Sequence, residues 1–86
     1  MPRVSTYSGI VIAMYYRDHH PPHFHAISGG HEAKLVIETG EPLGEPLPPQ
    51  EMTLVQQWLE RHRLDVRANW AKGEAHLPLD PIEPLS

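Results

Sequence analysis

The chain reads as a two-layer α+β domain: a three-stranded antiparallel β-meander packed by one long C-terminal helix, with an extended proline-rich tail. Three observations predict this. Short runs rich in β-branched residues fill the first half. A Gly-Gly pair separates two of them, and apolar residues recur at three- and four-residue spacing in the second half. Eighty-six residues make one small domain. Its core is expected at about residues 8–73, with the tail at 74–86.

Residues 10–16, Ile-Val-Ile-Ala-Met-Tyr-Tyr, follow Ser8-Gly9 and predict the first strand, central because apolar residues occupy both parities. The second starts after Pro21-Pro22, whose missing N–H groups end regular pairing, and covers residues 23–27. The third covers 32–38. Between them, Ser28-Gly29-Gly30-His31 is a two-residue hairpin signal. That turn sets a register. Ser28 faces His31, Ala26 faces Ala33 and Phe24 faces Leu35 on one, core-forming face. On the other face, Ile27 meets Glu32, His25 meets Lys34 and His23 meets Val36. Residues 40–49 hold four of the ten prolines and predict a stiff polar connector. Pro49 suits a first helical turn, where its missing N–H costs nothing. Val55, Trp58, Leu59, Val66 and Trp70 predict a helix from Gln50 to about Lys72, with Gly73 as its stop. His62 lies in that stripe and is expected to be buried and hydrogen-bonded. Leu77, Leu79, Ile82 and Leu85 can dock the tail.

Composition narrows the function classes. Without cysteine there is no disulfide and no thiolate zinc site. Residues 10–16, the longest apolar stretch, are too few to cross a bilayer, and no long apolar run follows Met1-Pro2-Arg3. The expectation is a cytoplasmic protein with no membrane role. A net charge of −4 with neutral histidines argues against nucleic-acid binding by the whole surface. The local basic stretch Arg61, Arg63, Arg67 and Lys72 reads first as a solvated helix face.

The densest chemistry is Asp18-His19-His20-Pro21-Pro22-His23-Phe24-His25, which holds four of the seven histidines. Imidazole titrates near neutral pH and is the commonest metal ligand. His23 and His25, two apart on a strand, share one side. Two chemistries fit. His23 and His25, completed by Asp18 and by His19 or His20, can hold a divalent metal such as zinc, which takes three or four protein ligands. Alternatively, His23 and His25 act as acid and base, supported by Asp18 and His19, and cleave RNA while Lys34 or Arg17 stabilises the phosphate. Tyr15, Lys34, His62 and Arg63 are candidate binding residues. Whether the chain is an enzyme stays open. Both chemistries place His23 and His25 outside the core.

Over nearly its whole length the chain resembles the bacterial "domain of unknown function 4160" family. The resemblance rests on Gly9-Ile10-Val11-Ile12 with Met14-Tyr15, on Asp18-His19 with Pro21-Pro22-His23-Phe24-His25, and on Glu32-Ala33 before Ile37-Glu38-Thr39-Gly40. It continues through Trp58, His62-Arg63, Asn69-Trp70 and Ile82-Glu83-Pro84-Leu85. The family pattern often carries proline where this chain has His20. The resemblance implies a cytoplasmic bacterial protein, often encoded beside a small cognate protein partner, "domain of unknown function 2442", as in a toxin–antitoxin pair. It implies no established activity. The element order also resembles part of small messenger-RNA-cleaving toxins that use a strand histidine. The expectation is a toxin–antitoxin-like component, in one version an RNase using strand histidines. The alternatives are a non-enzymatic protein-binding module and a small metal-binding protein.

Overall fold

The computed structural model describes residues 3–84. Its elements are β1 (Arg3–Tyr7), β2 (Ile10–Ala13), β3 (His23–Ser28), β4 (His31–Val36) and α1 (Pro49–Glu74). The strands form one antiparallel sheet in the order β1-β2-β3-β4. The α+β class and the long helix are as expected, but the sheet has four strands and not three. The additional strand is β1. Its register shifts between Arg3 and Ser5, so Val4, Ser5 and Tyr7 are all buried and the period-two pattern is broken. Ser8 and Gly9, at φ 49° and 75°, make the tight turn into β2.

The β3–β4 register matches the expected one at every pair, from Ser28 with His31 to His23 with Val36. Only Gly29 of the turn needs the left-handed region, at φ 59°. Phe24, Ala26, Ala33 and Leu35 are buried, and the Phe24 ring packs 5.7 Å from Trp58 of α1. The Tyr7 hydroxyl donates to the Leu54 carbonyl at 2.9 Å, and burial pushes its pKa up to about 12.

The proline connector shields the outer edge of β4. Val36 N–H donates to Glu41 O at 2.9 Å and Leu43 N–H to Lys34 O at 2.7 Å. An otherwise open row of strand groups is thereby paired. Beyond the helix, Ile82 N–H donates to Val4 O at 2.7 Å, and Trp58 Nε1 donates to Glu83 O at 3.0 Å. Ile82 is buried and Leu79 packs on the core, whereas Leu77 is exposed. Leu85 lies outside the described residues.

Helix α1 starts with Pro49 in its first turn, as its chemistry requires. Gly73 does not stop it. A Cβ there would lie 3.4 Å from the Tyr15 carbonyl, so glycine lets the helix approach the exit of β2. The left-handed residue after the helix is His76, at φ 58°. His62 interrupts α1 with φ −124° and ψ 18°. Its side chain is 16% exposed and 3.7 Å from Asp65 Oδ2, too far for a hydrogen bond, so only the burial expected of it is found. Among the described residues no helix is long and apolar enough to cross a membrane.

Asn69 is the polar clamp on the tail. Its Nδ2 donates to Asp80 O and its Oδ1 accepts from Asp80 N–H, both at 2.9 Å, and the residue is buried. Asn69→Ala should cost roughly 1–3 kcal/mol in urea unfolding, because two backbone groups lose their partner. Asn69→Asp should also destabilise, since a carboxylate cannot donate. Wild-type stability in both variants would show that the tail is not held this way.

Candidate functional site

Strand alternation sends Phe24 and Ala26 toward α1 and His23 and His25 to the other face. That face is not open at this end of the sheet. Strand β2 stops at Ala13, and residues 14–22 fold back over β3. The Tyr15 ring meets His25 edge-on at 4.5 Å, and the His19 ring stacks on His23 at 5.1 Å. Trp70, late in α1, reaches His23 at 5.5 Å. The His23 side chain is consequently 0% exposed and that of His25 8%. This corrects the expectation that the pair stands outside the core. The two imidazoles are the floor of a second, polar core beneath the loop. The loop is pinned by Arg17 N–H to Gly73 O at 3.4 Å and by Ile37 N–H to Pro22 O at 3.1 Å.

Asp18 sits between the imidazoles. Its Oδ2 is 3.0 Å from His23 Nε2 and 3.1 Å from His25 Nε2. His23 Nδ1 lies 2.8 Å from the Pro21 carbonyl, which can only accept, so this nitrogen carries the hydrogen. The other nitrogen of a neutral ring is then a lone pair. Despite its short contact with Asp18, His23 Nε2 lacks hydrogen-bond alignment and has no partner among the described residues. His25 is held between two carboxylates, with Nδ1 2.9 Å from Glu32 Oε2 and Nε2 3.1 Å from Asp18 Oδ2. A neutral imidazole has one N–H and can satisfy only one of them. With both rings neutral, the cluster has more acceptors than donors.

Burial alone would raise the Asp18 pKa. The His25 hydrogen bond, the His19 backbone N–H and the charges of His23 and His25 outweigh it and hold Asp18 below its ordinary 3.8. One donor atom each from Asp18, His23 and His25 falls within 4.8 Å of the others, close enough for one ion to reach all three.

The remaining candidates sort by position. Lys34 stands opposite His25 on the same face and has no ion pair among the described residues. His19 lies at the rim, 65% exposed, with Nε2 3.8 Å from Asp18 Oδ1. His20 turns away to Glu74 at 3.0 Å. His62 touches Trp58 and nothing of the cluster. Arg63 donates to Ile37 O and Glu60, beside a separate open groove. Most of the basic stretch is neutralised: Arg67 forks onto Glu38, lowering the Glu38 pKa while its own rises, and Lys72 pairs with Asp80. Sequence reasoning missed Glu32 and the Pro21 carbonyl. For Glu32 the signal existed, because in the expected register it is the same-face diagonal neighbour of His25.

A depressed carboxyl pKa contributes stability above its unfolded value and loses it as pH falls through the folded value. Wild-type stability should therefore decline as pH drops below about 3.8 through the Asp18 titration. Asp18→Asn should lack that component in pH-dependent urea unfolding. Identical acid limbs in both proteins would refute the assigned pairing.

The family model for Domain of unknown function (DUF4160) matches residues 9–71, which includes β2, the histidine loop, β3, β4 and most of α1. No curated protein and no solved structure matches the chain. With that match covering most of its length and all three clustered side chains, the chain belongs to the family described as Domain of unknown function (DUF4160).

Proposed function

We propose that this chain is a divalent-metal protein whose centre is held by Asp18, His23 and His25. One observation carries the reading. His23 Nε2 is a fully buried nitrogen without a hydrogen-bond partner among the described residues, and in a neutral ring whose Nδ1 hydrogen goes to the Pro21 carbonyl it is a lone pair. Ligating histidines typically give their other N–H to a carbonyl or carboxylate. Here His23 Nδ1 faces the Pro21 carbonyl, and a His25 bound through Nε2 would give its Nδ1 hydrogen to Glu32. A cation between the Nε2 atoms and Asp18 would also relieve the excess of acceptors. Two imidazoles, one carboxylate and no thiolate suit zinc and its first-row neighbours.

Three protein ligands leave a coordination position, and a zinc-bound water there ionises near pH 7. The centre therefore suits hydrolysis. His23 and His25 are too enclosed to exchange protons directly with a large substrate. In the toxin–antitoxin-like setting that the resemblance implies, RNA cleavage would use metal-bound water and not an imidazole acid–base pair. A small cognate partner would meet the same sheet face, where Val11, Ile27 and Val36 are half-buried. A cytoplasmic location belongs to the same reading.

Calorimetric titration should show one zinc ion per chain. Asp18→Ala, His23→Ala and His25→Ala should each weaken binding beyond detection or by at least about 100-fold, and Glu32→Gln by about 10–100-fold. Circular dichroism separates unfolding from ligand loss. A wild-type protein that takes up no more zinc than folded Asp18→Ala would reject the proposal.

A further inference from the structure

We propose that His19 is the fourth ligand of this centre, a swinging imidazole that closes the open position and must be displaced by any incoming ligand. The inference rests on the metal reading above and concerns how access to that centre is controlled.

Four observations converge on His19. Its backbone N–H donates to Asp18 Oδ1 at 2.9 Å, which occupies that oxygen and leaves Oδ2 facing the two Nε2 atoms. Its ring lies over the His23 ring, 29° from parallel, at the rim of the cluster. Its Nδ1 is 3.4 Å from the His20 carbonyl, a contact compatible with a hydrogen on Nδ1 and a lone pair on Nε2. This is the polarity that Pro21 imposes on His23. Finally, Nε2 lies 3.8 Å from Asp18 Oδ1, the oxygen beside the one that faces the two buried imidazoles.

The hold on this ring is weak. The contact to the His20 carbonyl is long, and the side chain is 65% exposed. As it stands His19 lies outside the group of donor atoms within 4.8 Å of one another, so its side chain must rotate to bring Nε2 to the ion. His20 lacks this freedom, because Glu74 engages its Nε2 at 3.0 Å and Trp70 flanks its ring. The buried pair and Asp18 thus form the permanent part of the site. His19 gives it four donors in the closed form, as in structural zinc centres, and three when displaced, as in catalytic ones.

The test uses the full chain loaded with cobalt(II), whose visible absorption is strong in four-coordinate sites and weakens as coordination number rises. Wild type, His19→Ala and His20→Ala are compared, with azide as the competing ligand. All three should bind one cobalt ion. Wild type and His20→Ala should share a strong band that resists azide. His19→Ala should show a weaker or shifted band and bind azide about tenfold tighter or more. Added imidazole should restore the wild-type spectrum to His19→Ala. If His19→Ala keeps the wild-type band and azide affinity, His19 is not a ligand although the three-residue centre stands. If wild type takes up no cobalt or zinc, the metal reading fails and this proposal fails with it.

Discussion

The contact of Asp18 Oδ2 with both buried imidazole nitrogens, at 3.0 and 3.1 Å, is what the rest of the site depends on. It brings the loop of residues 14–22 down over β3 and turns a sheet face into an interior. Burying such polar groups is costly unless each finds its partner. The Pro21 carbonyl and the Glu32 carboxylate supply partners for the outer nitrogens, but His23 Nε2 on the inner side keeps no hydrogen-bond partner among the described residues. Apolar side chains of similar volume would hold the loop with less desolvation. On the proposed reading, a cation between the imidazoles and Asp18 would offset that cost.

The sheet serves two cores. One face carries Phe24, Leu35 and Ile12 against α1, which supplies most of the apolar burial. The other carries His23 and His25 beneath the loop. Helix α1 links the two, because its last turns reach around the end of the sheet. Gly73 lets the helix backbone approach Tyr15, Trp70 reaches His23, and Glu74 holds His20. The position of Asp18 is thus tied to the end of the helix as well as to β3. The docked tail, fastened through Asn69 and Ile82, braces the same helix.

Much of the sheet was legible because its signals are local. The Gly29-Gly30 turn and the sorting of apolar residues sufficed for the β3–β4 register. Strand β1 escaped because a bulge breaks its alternation. The burial of His23 and His25 escaped for a different reason. Period two says which side of a strand a residue takes, but not what a distant loop does to that side. The metal-like triad was anticipated as residue types in a short segment, whereas the tautomer of His23 depends on a carbonyl that sequence cannot orient. Gly73 shows the same limit: a glycine near a helix end reads as a stop, and only the packed structure reveals the close approach it permits. Asn69 entered only through the family resemblance, and its clamp on the tail carried no signal, since a polar residue on a helix reads as solvated.

The account's central claim concerns an ion shared by the inner nitrogens of His23 and His25 and by Asp18. Diffraction from crystals of the zinc-loaded protein, recorded on both sides of the zinc absorption edge, tests it most directly. The account predicts one anomalous peak about 2.0–2.1 Å from His23 Nε2 and His25 Nε2 and about 2.0–2.2 Å from an Asp18 oxygen. The Nδ1 atoms should still face the Pro21 carbonyl and Glu32. A zinc peak elsewhere, or none, with the Asp18–imidazole contacts intact, would contradict it.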